Sequence, residues 1–124
     1  MVNQVLLYLG SAFLLLWGIS HLFPTRSVVK GFGDISVDNK RIITMEWIIE
    51  GVSLIFIGAL VSSVTYIDYT NVISQTIYWI SFVMLNALSV ISLLTGFKVN
   101  FLPFKLCPVI FTTSSILILL GAYI

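Results

Sequence analysis

The sequence predicts an all-α integral membrane protein: four transmembrane helices in a single up-and-down bundle, with the N- and C-termini outside the cytoplasm. Three observations predict it. Of 124 residues, 59% are hydrophobic and 9% are charged, and mean hydropathy is +1.11, whereas soluble domains carry roughly 25% charged residues. Four apolar runs, about 5–23, 42–65, 72–97 and 108–124, are each close to or longer than the roughly 20 residues a helix needs to cross hydrocarbon. All six basic residues fall on one side of the resulting four-pass chain. Four spans with short turns use up the length, so one domain, 1–124, is expected.

The runs must be helices because hydrocarbon offers no partner for backbone N–H and C=O groups. The period-two polarity of barrel strands is missing. Span one starts without a basic stretch and is followed by no small-residue cleavage pattern, so it reads as a retained span. It stops at Pro24. Span two is preceded by Ser36, Asp38 and Asn39, all good N-cap residues, which predicts a helix starting somewhat before the membrane. Span three ends near Gly96. Span four opens on Pro108, a residue tolerated in a first helical turn.

Arg26, Lys30, Lys40 and Arg41 lie between spans one and two, and Lys98 and Lys105 between spans three and four. The connection between spans two and three carries Asp68 and no basic residue. The positive-inside rule places both basic connections in the cytoplasm. Tyr66, Tyr69, Tyr78 and Trp79 are expected to form an aromatic belt at the opposite end. The first connection, PTRSVVKGFGDISVDNK, is predicted to lie on lipid headgroups through Arg26, Lys30, Lys40 and Arg41. Its GFGD piece is a poor phosphate loop, since no strand precedes it. Small residues four apart, Gly58 and Ser62, then Ser92 and Gly96, predict close helix packing within the bundle.

Polar residues inside the spans are the functional candidates. Glu46 and Glu50 are four apart and share a helix face, with Ser53 continuing it. His21 ends span one, and Asn86 lies mid-way along span three at about the depth of Glu50. Trp17 and Trp47 belong to the same half. Glu50, Glu46, His21, Asn86, Trp47 and Trp17 are therefore expected to converge as a ligand-binding or proton-titrating cluster in the cytoplasmic half of the bundle. A lone cysteine, Cys107, excludes an internal disulfide and reads as a small buried hydrophobe. One histidine and no Glu-x-x-His pair argue against a di-metal bundle site, so no metal site is expected. No catalytic triad is visible, no nucleic-acid partner is indicated, and no cofactor is named by the residues.

The pieces LLYLGSAFLLLWGISHLF and EGVSLIFIGAL resemble the first two spans of the DoxX-like family of small four-span bacterial membrane proteins. The positions that carry the likeness are Gly18 and His21, then Glu50, Gly51, Leu54 and Gly58. The resemblance covers about half the chain, and it departs from the family in the long basic first connection and in Glu46. It implies a four-helix bundle in a bacterial inner membrane and a link to redox or quinone-associated systems. The expected function is binding of an amphipathic, quinone- or lipid-like ligand, or of a partner subunit, through the polar cluster. Two alternatives are a membrane enzyme acting on a lipid-like substrate, with Glu50 as acid or base and Asn86 and His21 as positioners, and a small proton-coupled transporter or channel acting as a homo-oligomer.

Overall fold

The computed structural model describes residues 1–124. Its elements are α1 (Val2–Leu22), α2 (Thr25–Lys30), α3 (Val37–Asp68), α4 (Val72–Leu94), a 3₁₀ turn (Gly96–Lys98) and α5 (Leu102–Tyr123), with no strand. Four of the helices, α1, α3, α4 and α5, are long and apolar enough to cross a membrane. They form a ring in which α1 packs broadly on α3 and α5, and α4 packs on α5. The fourth side, between α3 and α4, is the thinnest. Only 24 of 124 residues are buried, and the outward positions are apolar, Phe13, Leu16, Phe56, Ile80 and Val83 among them. An exterior of this kind is compatible with a multi-pass helical membrane protein, because in water so large an apolar surface would drive association.

Close approach of α1 to α3 rests on glycine. A Cβ at Gly18 would lie 2.8 Å from the Gly51 carbonyl oxygen, and one at Gly58 would lie 2.8 Å from that of Ser11. Ser62 Oγ donates to Ser11 Oγ across the same contact at 2.8 Å. The pairing of Gly58 and Ser62 with α1 is the expected small-residue packing. Gly121 serves α5 in the same way, its Cβ position lying 2.8 Å from the Asn3 carbonyl oxygen. On the remaining sides the helices are joined by hydroxyls: Ser89 to Thr112 at 2.8 Å, and Thr65 to Tyr78 at 2.9 Å.

Several element boundaries differ from the sequence prediction. Helix α3 starts at Val37 because Ser36 Oγ accepts the Asn39 N–H at 3.1 Å. Its 32 residues span about 48 Å, longer than the roughly 30 Å of hydrocarbon core that a crossing helix needs to match. Helix α5 begins at Leu102 with Pro103 in its first turn, so Pro108 lies inside the helix and not at its start. Pro108 has no N–H to give to the Phe104 carbonyl; its own carbonyl accepts from Ser89 Oγ at 3.1 Å. Helix α4 ends at Leu94, three residues before the predicted end of span three. The first connection is partly ordered as α2, and Gly33 takes a φ of 73°, open to glycine at little cost. Tyr78 does not join an aromatic belt: it is 0% exposed, because its hydroxyl finds Thr65 and its ring can then be buried.

Candidate functional site

The close contact of Gly18 with Gly51 brings the last turn of α1 against α3. There the His21 ring stacks on Trp47, with centroids 3.8 Å apart and planes at 15°. Trp47 Nε1–H donates to the His21 carbonyl at 2.7 Å. That carbonyl is one of the C-terminal groups α1 cannot satisfy internally, so Trp47 caps the helix while fixing the ring. Thr25 Oγ1–H caps a second, the Leu22 carbonyl, at 2.6 Å. Glu50 lies one turn on from Trp47, on the same face of α3. Its Oε2 is 3.4 Å from His21 Nε2, yet the two are not aligned as a hydrogen bond, and Nε2 has no hydrogen-bond partner. His21 is 8% exposed, whereas the Glu50 side chain is 43% exposed. The pair thus has a buried end on α1 and an open end on α3.

The open end faces a cleft of about 490 Å³ at the thin α3–α4 side. Glu46, Glu50, Ser53, Ile43 and Leu54 of α3 line one side and Met84 and Leu88 of α4 the other, with Val28, Phe32, Trp47 and Phe104 completing the lining. On the far side of Trp47 is a smaller chamber of about 140 Å³, bounded by Trp17, His21, Phe104 and Cys107. Phe104 meets the Trp47 ring edge-on at 5.7 Å and 90°, and both rings line both spaces. Trp17 Nε1 is buried beside the Cys107 thiol without a hydrogen bond of acceptable geometry. Cys107 is itself buried and unpaired.

Of the six residues expected to converge, the structure brings together His21, Trp47, Glu50, Glu46 and Trp17. It does not bring Asn86. The Asn86 amide donates to the Phe82 carbonyl of its own helix at 2.8 Å, and Asn86 does not line the cleft. The depth estimate did not settle the helix face: Asn86 is about 200° around α4 from Met84, at about 100° per residue. Glu46 forms no ion pair, since Arg41 turns to Asp38 at 3.6 Å. Arg26, Lys30, Lys40 and Arg41 are exposed at this basic end of the bundle. No three His, Cys, Asp or Glu side chains approach closely enough to hold a metal ion. The sequence reading missed Phe104, Met84 and Leu88. Phe104 was hidden by the late start assigned to span four. The α4 pair had only an ordinary apolar spacing to mark it.

Comparison with protein-family models, with curated proteins and with solved structures gave no match.

Proposed function

We propose that the chain is a non-catalytic membrane binding protein for an amphipathic molecule drawn sideways from the bilayer into the α3–α4 cleft. The observation that carries this reading is the cleft itself. It is about 490 Å³, lined mainly by apolar side chains, and carries Glu46 and Glu50 on one wall with His21 held behind Glu50. Sites for small organic ligands have this size and this mix of apolar lining and few polar groups. The apolar body, quinone- or lipid-like, lies between α3 and α4, and its polar head meets Glu50. Exposed apolar residues at the rim, Ile49 and Met84, make a continuous path from lipid. On the same reading the chain is DoxX-like and resides in a bacterial cell membrane with its basic end in the cytoplasm. Asn86, bonded to its own helix and outside the cleft lining, supports the binding reading over the enzyme alternative, in which Asn86 and His21 are the expected positioners.

Photo-crosslinking tests this. A diazirine-bearing alkyl amphiphile, activated in membranes that contain the protein, is expected to modify peptides holding Ile43, Met84 and Leu88 in preference to the outer faces of α1. Replacing Leu88 with Trp, which fills the cleft, is expected to abolish that preference. Uniform labelling of all lipid-facing positions, unaffected by L88W, contradicts the reading.

A further inference from the structure

We propose that the smaller chamber between α1, α3 and α5 is a second binding site, for a compact uncharged ring compound that presents a carbonyl-type oxygen. This site is separate from the α3–α4 cleft and its amphiphile. The chamber has a volume of about 140 Å³, close to the roughly 150 Å³ that takes one six-membered ring. Trp17, Trp47, Phe101 and Phe104 give it aromatic walls, which suit a flat guest. No Asp, Glu, Lys or Arg lines it, so a charged guest would lose its water and find no counter-charge. The chamber shares Pro24, Phe101 and Phe104 with a groove of about 470 Å³ between α2 and the segment that opens α5. Ser20, Phe101 and Pro103 are exposed, so a small molecule has a way in from that side.

Trp17 points to a ligand and to its polar group. Its Nε1–H is shielded from solvent and has no hydrogen-bond partner. It lies beside the Cys107 thiol, and both residues line the chamber. Cys107 is 5% exposed, and a thiol is only a weak acceptor. A buried donor left unpaired is costly, and a buried indole N–H usually finds a partner. Trp47 shows the contrast: its Nε1–H is occupied by the His21 carbonyl at 2.7 Å. An indole N–H can only donate, so the partner missing at Trp17 is an acceptor. His21 does not supply it, because its Nε2 is turned to Glu50 at 3.4 Å, which does not line the chamber. Water alone fits poorly. It calls for about two to four polar partners, and apart from His21 and Ser20 the wall is aromatic rings, prolines and a thiol. A carbonyl oxygen on a ring satisfies Trp17 with one bond while the ring fills the apolar space.

Cyclohexanone and methylenecyclohexane have nearly the same shape, and only the ketone accepts a conventional hydrogen bond. Each is titrated into the purified full chain in detergent micelles, with the tryptophan indoles labelled with nitrogen-15. Trp17, Trp47 and Trp79 give one N–H resonance each. Trp79, packed on Phe82 and Tyr123 and not on the chamber, is the internal control. The expected result is saturable binding of the ketone with a downfield shift of the Trp17 N–H, and about three- to tenfold weaker binding of the alkene, as one neutral hydrogen bond would give. In W17F, followed on Trp47, the two affinities are expected to become equal. C107L keeps all three tryptophans and fills the chamber, and it is expected to abolish binding of both. L88W, which fills the cleft, is expected to leave both unchanged, so the two sites are tested apart. A Trp17 resonance that neither compound moves, equal wild-type affinity for ketone and alkene, or a ketone preference that survives W17F overturns the ring site. So does a saturable ketone response that C107L leaves intact. Loss of ketone binding in L88W would move the guest to the cleft and overturn it as well.

Discussion

Trp47 does two things that a phenylalanine could only half replace. Its ring holds His21 by stacking, and its N–H caps α1 through the His21 carbonyl. Trp47→Phe keeps the ring and loses the hydrogen bond. It is expected to lower resistance to unfolding by about 0.5–1 kcal/mol, the usual worth of one buried interhelical bond in a membrane protein. Trp47→Ala loses ring and bond together and is expected to cost about 3–5 kcal/mol. Denaturation in mixed micelles reads both, and equal losses would show that the ring contributes nothing. His21 and Glu50 were legible in the sequence because ionisable side chains inside apolar runs are rare and need a partner. Asn86 misled for a related reason. An amide can be satisfied by its own backbone one turn back, as the bond to Phe82 shows, and needs no neighbour from another helix.

At the scale of elements, the site exists because α1 and α3 can touch. Gly51 leaves no room for a side chain: a Cβ there would lie 2.6 Å from Leu22 Cδ2 and 3.1 Å from the Gly18 carbonyl oxygen. Gly51→Val is expected to push the two helices apart, destabilise the bundle by roughly 1–3 kcal/mol and separate His21 from Glu50. Gly96→Ala is the control, because its nearest neighbour, Phe104 Cδ1, would stand at an ordinary 3.5 Å. Thermal stability in detergent should fall for the first and stay within about 0.5 kcal/mol for the second; similar losses in both would contradict the packing account. The existence of four long helices followed from apolar length alone, and the capped start of α3 at Ser36 from the N-cap residues ahead of the apolar run. The early start of α5 did not. Pro108 set the predicted start, whereas Pro103 is the proline of the first turn, and Phe104 beside it packs edge-on against Trp47. Which pair of helices would be loosest was likewise beyond sequence patterning, since α3 and α4 are as apolar as their neighbours and joined by a short turn.

For the whole molecule, the proposed topology puts both basic connections on the cytoplasmic face. In a Cys107→Ser background, Thr70→Cys is expected to react with a membrane-impermeant maleimide added to intact cells. Lys98→Cys is expected to react only after permeabilisation. The opposite pattern would invert the bundle. On that proposed topology the α3–α4 cleft would lie in the inner leaflet half, and the proposed amphiphile would be drawn from that leaflet. The central claim is that this cleft is occupied by such a molecule, and native mass spectrometry of the purified chain tests it most directly. Wild type is expected to retain one amphiphile per chain at collision energies that strip loosely held lipid, and L88W is expected to lose it. A wild-type chain that sheds every adduct, or an adduct that L88W keeps unchanged, would contradict the account.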